Sequence, residues 1–343
     1  MIKFTSDYCE GAAVPVLEAL NAINFVQQTG YGEDEICAEA KKYIQRELQN
    51  DDCLIRFLVG GTQTNLLALS HFLRPYQAVI AADTAHICVH ETGAIEACGH
   101  KIIAVPGAEG KINVQLVNQV MQAHSDYHMV QPKLVYISNP TELGTVYSKK
   151  EIEALSAYCR KNSLYLYVDG ARLASALTAA ESDLTLADYP KYTDAFYIGG
   201  TKCGALFGEA LVVVNKALQE GLEYSVKQRG SLLAKGWLLG LQFRELFKDG
   251  LYYRLGRKAN QMADLLRSCF IGHGCQLAYA ASTNQIFVIL PAEMAAKLEE
   301  KFDFSIWEEY ADNRVLARFV TSWATEESAV RCLEKEMEIL DKR

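Results

Sequence analysis

The chain has no run of lysine or arginine long enough to grip a phosphate backbone, and no stripe of interleaved aromatic and basic residues. Its formal net charge is −8. Nucleic acid is therefore not an expected partner. No apolar run is long enough to span a bilayer, so no membrane partner is expected either. The opening residues Met1–Asp7 are interrupted at once by polar side chains and do not read as a signal peptide. Ten cysteines are scattered without a Cys-x-x-Cys pair. That pattern argues against a disulfide framework or a zinc site, and for free thiols in a reducing compartment, the cytoplasm by default. Internal repeats, low-complexity linkers, a Walker loop and a His-Glu-x-x-His motif are all missing.

What is present is an ordinary globular composition, 50% hydrophobic and 22% charged over 343 residues. That length suits one large domain and a smaller one. Apolar runs at Leu54–Val59, Ala78–Ala82, Lys101–Val105, Lys133–Ser138, Leu164–Val168, Asp194–Ile198 and Ala210–Val214 read as strands. Helical periodicity separates them at Glu33–Leu48, Thr64–Leu73, Val114–Ala123 and Lys149–Lys161. Continuous apolar strands alternating with helices predict an α/β fold, a mostly parallel sheet flanked by helices. Such a sheet binds ligands beyond the carboxyl ends of its strands. The first helix, around Pro15–Gln28, is expected to pack away from this sheet. After Asn215 the pattern changes to a long helical region, Gly221 to Phe270, broken at Lys248-Asp249-Gly250. Strands at Gln285–Leu290 and Leu316–Thr321 and a helix at Glu326–Leu340 follow. We expect a large domain over residues 1–220 and a small C-terminal α+β domain over 221–343.

The chemistry concentrates at strand ends. Asp169 ends one strand, and Lys202 follows another after Gly199-Gly200-Thr201. A buried lysine is costly unless paired or neutralised. A carboxylate facing a pyridinium nitrogen and an amine that captures an aldehyde are what pyridoxal phosphate requires. Taken singly, Asp169 could equally cap a helix or hold a magnesium ion, and Lys202 could sit in a surface turn. Arg172 lies on the turn after Asp169 and could take a substrate carboxylate through two parallel hydrogen bonds, or pair with a neighbouring acid. Arg318, in the C-terminal strand, is a second candidate for the same carboxylate. Gly60-Gly61-Thr62 opens a helix after a strand, where free N–H groups and the helix dipole suit a phosphate. His86 could stack on the coenzyme ring. His90, four residues on, would allow a metal on one helix face, but no third ligand beyond Glu91 is evident, and no metal is expected. The other histidines read as structural or solvated.

Taken in order, these segments resemble the threonine aldolase / β-eliminating lyase family of fold-type-I pyridoxal-phosphate enzymes. The resemblance covers nearly the whole chain. It rests on Ser6-Asp7, Tyr31-Gly32-Glu33-Asp34, Gly61-Thr62 with Asn65, Asp83-x-x-His86-Ile87, Glu91-x-Gly93, Asp169-Gly170-Ala171-Arg172, Thr201-Lys202 and Arg318-Phe319-Val320-Thr321. It implies Lys202 as the Schiff-base lysine, Asp169 on the pyridine nitrogen and His86 on the ring. Gly60, Gly61 and Thr62 would hold the phosphate. Ser6, Arg172 and Arg318 would surround the substrate carboxylate. His86, or a water held by it or by Glu91, would act as base. Tyr31 would serve a neighbouring subunit's site in a homodimer or homotetramer. The implied reaction is cleavage of a β-hydroxy-α-amino acid to glycine and an aldehyde.

Two departures stand out. The family's Glu-Asn-Thr-His-Asn becomes Ser138-Asn139-Pro140-Thr141-Glu142, which puts Thr141 in place of a second histidine. Its Gly-Gly-Gly-Met-Arg-Gln becomes Arg229-Gly230-Ser231-Leu232-Leu233-Ala234. They leave other pyridoxal-phosphate chemistry open: β-elimination, transamination or racemisation. A non-catalytic relative of the fold is a third reading.

Overall fold

The computed structural model describes residues 1–341. A short strand, β1 (Ile2–Lys3), opens the chain. Seven strands then build the central sheet: β2 (Leu54–Leu58), β3 (Gln77–Ala82), β4 (Lys101–Val105), β5 (Gln131–Ser138), β6 (Tyr165–Asp169), β7 (Ala195–Gly199) and β8 (Glu209–Val213). Their order is β2-β8-β7-β6-β5-β3-β4. From β7 across to β4 every pairing is parallel, and β8 runs antiparallel to both of its neighbours. Strands β3, β7 and β8 are buried along their whole length, as expected where helices cover both faces. This is the mostly parallel α/β sheet that the apolar runs predict.

Helix starts follow local chemistry. The helix Glu35–Leu48 begins two residues later than its periodicity suggests, because the Asp34 carboxylate caps it by accepting from the Cys37 N–H at 2.8 Å. The helix Gly61–Phe72 begins three residues earlier, at the glycine itself. Its first turn carries no core-facing side chain, so apolar periodicity shows only from Thr64. The helix Lys149–Lys161 has a capping box formed by Ser148 and Glu151. The N-terminal helix is Val14–Ile23, shorter than predicted, and it packs on the helix Trp237–Lys248 rather than on the sheet. The region read as one broken helix is three: Leu222–Gln228, Trp237–Lys248 and Leu251–Gly272. The break before the last falls at Gly250, whose φ of 67° is left-handed.

The C-terminal unit is built on an antiparallel sheet ordered β12-β13-β10-β9, from β9 (Gln276–Leu277), β10 (Gln285–Pro291), β12 (Ser305–Glu309) and β13 (Arg314–Val320). A further short strand, β11 (Phe302–Asp303), pairs in parallel with β1, so the start of the chain belongs physically to this unit. Two large hydrophobic cores result, beside a small cluster of Leu143, Phe287 and Leu316. One includes the central sheet together with Leu222, Val226, Phe243 and Tyr252. The other runs from Ala263 to Met337 and takes in Phe4. The helix Leu251–Gly272 contributes to both. No helix among the described residues is long and apolar enough to cross a membrane.

Candidate active site

Strands β5, β6 and β7 end together. Ser138 lies opposite Asp169 in register, and the turn after β6 is pressed against the end of β7. The approach is so close that a Cβ on Gly170 would stand 2.0 Å from the Tyr197 carbonyl oxygen. One on Gly199 would stand 2.2 Å from that of Ala171. Only glycine fits at either position, and the fit brings the Asp169 and Lys202 turns to one place. Beyond these ends opens a cavity of about 340 Å³. Its walls include Gly60, Gly61, Thr62, His86, Asp169, Arg172 and Lys202. Tyr8, Glu142, Tyr197 and Glu209 also line it.

Asp169 is buried and saturated with donors. Its Oδ2 accepts from the Tyr136 hydroxyl at 2.5 Å and from Asn65 Nδ2 at 3.0 Å. Its Oδ1 accepts from the Tyr197 hydroxyl at 2.5 Å and from the Ala171 N–H at 3.0 Å. Burial pushes the carboxyl up, but His86 and these hydrogen bonds outweigh it and hold Asp169 below its ordinary value. Asn65 extends the network: its Oδ1 accepts from Tyr167, and its Nδ2 also donates to Glu91 Oε1 at 2.8 Å. That same Glu91 oxygen accepts from His86 Nδ1 at 2.8 Å, which assigns the ring proton to Nδ1 and leaves Nε2 free.

Lys202 is half-buried on the cavity wall, and its Nζ lies 6.0 Å from the centre of the Tyr8 ring. Among the described residues this amine makes no hydrogen bond and no ion pair. Burial, and then the Arg172 guanidinium, push it below the usual lysine range. Glu209 stands nearby with both oxygens engaged, one by the Gly200 N–H at 3.0 Å and the other by the Thr201 hydroxyl at 2.8 Å. Burial pushes its carboxyl up to about 8.

Arg172 donates from Nε to Asp7 Oδ2 at 2.7 Å and from an Nη to Asp7 Oδ1 at 3.1 Å. The protein thus supplies the acidic partner that Arg172 needs, and the remaining Nη is the one available to a ligand. Burial works against the guanidinium charge, but Asp7 outweighs it. Arg318 is outside the cavity wall. It stacks 4.9 Å over the Trp307 ring and donates weakly to the Thr5 carbonyl, while its buried Nε has no partner among the described residues. Burial and Arg172 lower it to about 10.

Ser6, Glu91 and Tyr31 are not on the cavity wall either. Ser6 Oγ contacts Cys9 Sγ at 3.2 Å. Glu91 reaches the site through His86. Tyr31, held at a φ of 64°, lines a separate cavity of about 450 Å³ with Lys41, Arg56 and Ser231. The Thr141 hydroxyl is occupied by Thr145 at 2.7 Å, whereas the next residue, Glu142, carries a carboxylate on the wall. Sequence reasoning missed Asp7, Tyr136, Glu142, Tyr197 and Glu209 as site residues. Tyr136 and Tyr197 each precede a strand end by two residues, so alternation along β5 and β7 puts them on one face with the strand-end residue.

An aldehyde coenzyme fits this arrangement. The unpartnered amine needs a group to neutralise it, and the Gly61–Phe72 helix starts without a side-chain cap, leaving first-turn N–H groups for a phosphate. A carboxylate kept charged between them suits a pyridinium. On this sheet topology, that chemistry defines the fold-type-I pyridoxal-phosphate enzymes. The chain belongs within that class to the beta-eliminating lyase family, whose model matches residues 4–293. Over 336 residues it is 33% identical to the low specificity L-threonine aldolase of Pseudomonas sp. strain NCIMB 10558, covering 96% of this chain and 95% of that one. A solved structure of Leishmania major threonine aldolase superposes with a TM-score of 0.99 at 46% identity, covering 99% of this chain and all of that one. An Exiguobacterium protein of the aromatic amino acid beta-eliminating lyase/threonine aldolase group, 17% identical with a TM-score of 0.76, shares the fold.

Proposed function

We propose that this enzyme cleaves a β-hydroxy-α-amino acid of the threonine kind to glycine and an aldehyde. The observation that carries the reading is that Asp169 and the unpaired Lys202 line one cavity. The threonine aldolases it resembles over their full length support the choice of substrate. Bound, the coenzyme supplies an aldehyde for the substrate amine and an electron-poor ring that draws the electron pair of the breaking bond. The chain does the rest. Lys202 would hold the coenzyme through its aldehyde, and its unpaired amine would serve to move a proton within the cavity. Asp169 stays charged under its four donors. The uncapped helix start at Gly60, Gly61 and Thr62 holds the phosphate, and the His86 ring, steadied by Glu91, covers the coenzyme. Arg172, oriented by Asp7, takes the substrate carboxylate with its free Nη, while Arg318 and Ser6, off the cavity wall, are the further candidates for that carboxylate.

We also propose that the protein works as a homo-oligomer with shared sites. Tyr31 lies in a cavity apart from Lys202, and Phe25, Val14 and Val26 leave an apolar face on and after the N-terminal helix, with Phe25 95% exposed. Ten unpaired cysteines support a reducing, cytoplasmic setting. The test is to supply purified protein with pyridoxal phosphate and each threonine isomer and assay glycine. Glycine from at least one isomer is expected. Keto acid or ammonia without glycine would replace the proposal with elimination or transamination.

A further inference from the structure

The cavity wall carries three carboxylates, and their partners set them apart. Asp169 has both oxygens filled by four donors, and Glu209 has both oxygens engaged by the Gly200–Thr201 turn. Glu142 differs. Its Oε1 accepts from the His86 N–H at 3.0 Å and from the Ser138 hydroxyl at 2.7 Å. Its Oε2 has no hydrogen-bond partner among the described residues, and it is not sealed in the protein either. Two bonds from two separate elements thus fix the carboxylate and leave one oxygen for the cavity.

Resting on the cleavage reading above, we infer that Glu142 is the catalytic base for the substrate's β-hydroxyl group. The hydroxyl proton passes to Glu142 Oε2. The O–H electron pair becomes the second bond of the aldehyde C=O, and the Cα–Cβ bond breaks with its pair drawn toward the coenzyme. The carboxylic acid then releases its proton to water, and Cα takes one up, so protons balance over the cycle. Thr141 cannot serve, since a neutral hydroxyl already bonded to Thr145 is no base at neutral pH. Burial, and then the nearby Asp169 charge, push the Glu142 carboxyl above its ordinary value, toward the working range of a general base. The ionisable groups around it are His86 and Cys88 on one element, Asp169 and Arg172 on another, Tyr136 on β5 and Tyr147 on the loop after it.

Glu142→Gln keeps an acceptor for both Oε1 hydrogen bonds and removes only the basic oxygen. In the holoenzyme it should retain the visible coenzyme band, while cleavage falls by roughly 10²–10⁴-fold, the span a positioned base supplies. The acid limb of the wild-type pH profile should vanish with it. In Glu142→Ala, added formate should restore cleavage saturably. Glu142→Gln within about threefold of wild type, loss of the coenzyme band in that variant, or no response of Glu142→Ala to formate would each overturn the assignment. A wild-type protein that cleaves no β-hydroxy amino acid would remove the function reading and this role together. A wild-type protein that cleaves, with an unaffected variant, removes only the role.

Discussion

Glu91 accepts the His86 Nδ1 proton at 2.8 Å from a position fully out of solvent, five residues along the chain. That bond fixes the imidazole tautomer and the plane of a ring on the cavity wall. Glu91→Gln replaces a charged acceptor by an amide that Asn65 and His86 must share. Hydrogen bonds to charged groups are worth about 1.5–3 kcal/mol. We expect kcat/KM for cleavage to fall about tenfold or more, with the coenzyme still bound. Steady-state kinetics and the visible spectrum together check this.

Tyr136 and Tyr197 each donate at 2.5 Å to Asp169 and help to hold its carboxyl low. Replacing either by phenylalanine removes a bond to the charged form and lets the carboxyl rise, by roughly one unit for each 1.4 kcal/mol lost. The sign is definite: a group depressed in the fold stays charged to lower pH, so the variants should lose the coenzyme's visible band at a higher pH than wild type. Spectrophotometric acid titration of the three holoenzymes measures the displacement.

How much of this was legible beforehand depended on the kind of signal. Strands β3, β5, β6, β7 and β8 are largely buried apolar runs, and such runs name themselves within a residue or two at each end. The short strands β1, β9 and β11 and the helix Ala292–Glu299 carry too few residues to build a period, and only the packing of the C-terminal unit calls them into being. Site residues in contiguous motifs, such as Asp169 with Arg172 and Thr201 with Lys202, could be read directly. Glu142 could not, because its importance lies in which of its oxygens is bonded. Nor could Asp7, whose partner lies 165 residues away.

The Asp7–Arg172 pair is buried and doubly bonded, and Asn284 Nδ2 also donates to Asp7 Oδ2 at 2.8 Å. Breaking one partner of such a pair strands the other charge, at a cost of about 3–5 kcal/mol. Asp7→Ala should lower the unfolding free energy by that order in urea titrations, and Arg172→Ala added to it should cost much less than its single effect. Arg172 and Asn284 depress the Asp7 carboxyl, with burial opposing. Its contribution is therefore complete above the unfolded value near 3.8 and lost as pH falls below it. The gap between wild type and Asp7→Ala should close in that acid window.

Lys202 is a half-buried amine on the cavity wall with no partner among the described residues, which leaves it free to capture an aldehyde. Lys202→Met should abolish the visible band on adding pyridoxal phosphate. The stability of the coenzyme-free protein should change by less than about 1 kcal/mol, because the amine faces the cavity rather than a sealed interior. Calorimetry of the two coenzyme-free proteins decides the second point. A variant less stable by more than that would mean that the amine has a partner in solution.

The chain's opening arm adds strand β1 to the edge of β11, drops Phe4 into the second core and sets Asp7 between Arg172 of the sheet domain and Asn284 of the C-terminal unit. It therefore works as a rivet through two plates. A single proteolytic cut behind it would free an edge, hollow a core and unpin a guanidinium at one stroke, so fusion partners and surface tethers belong at the far end of the molecule.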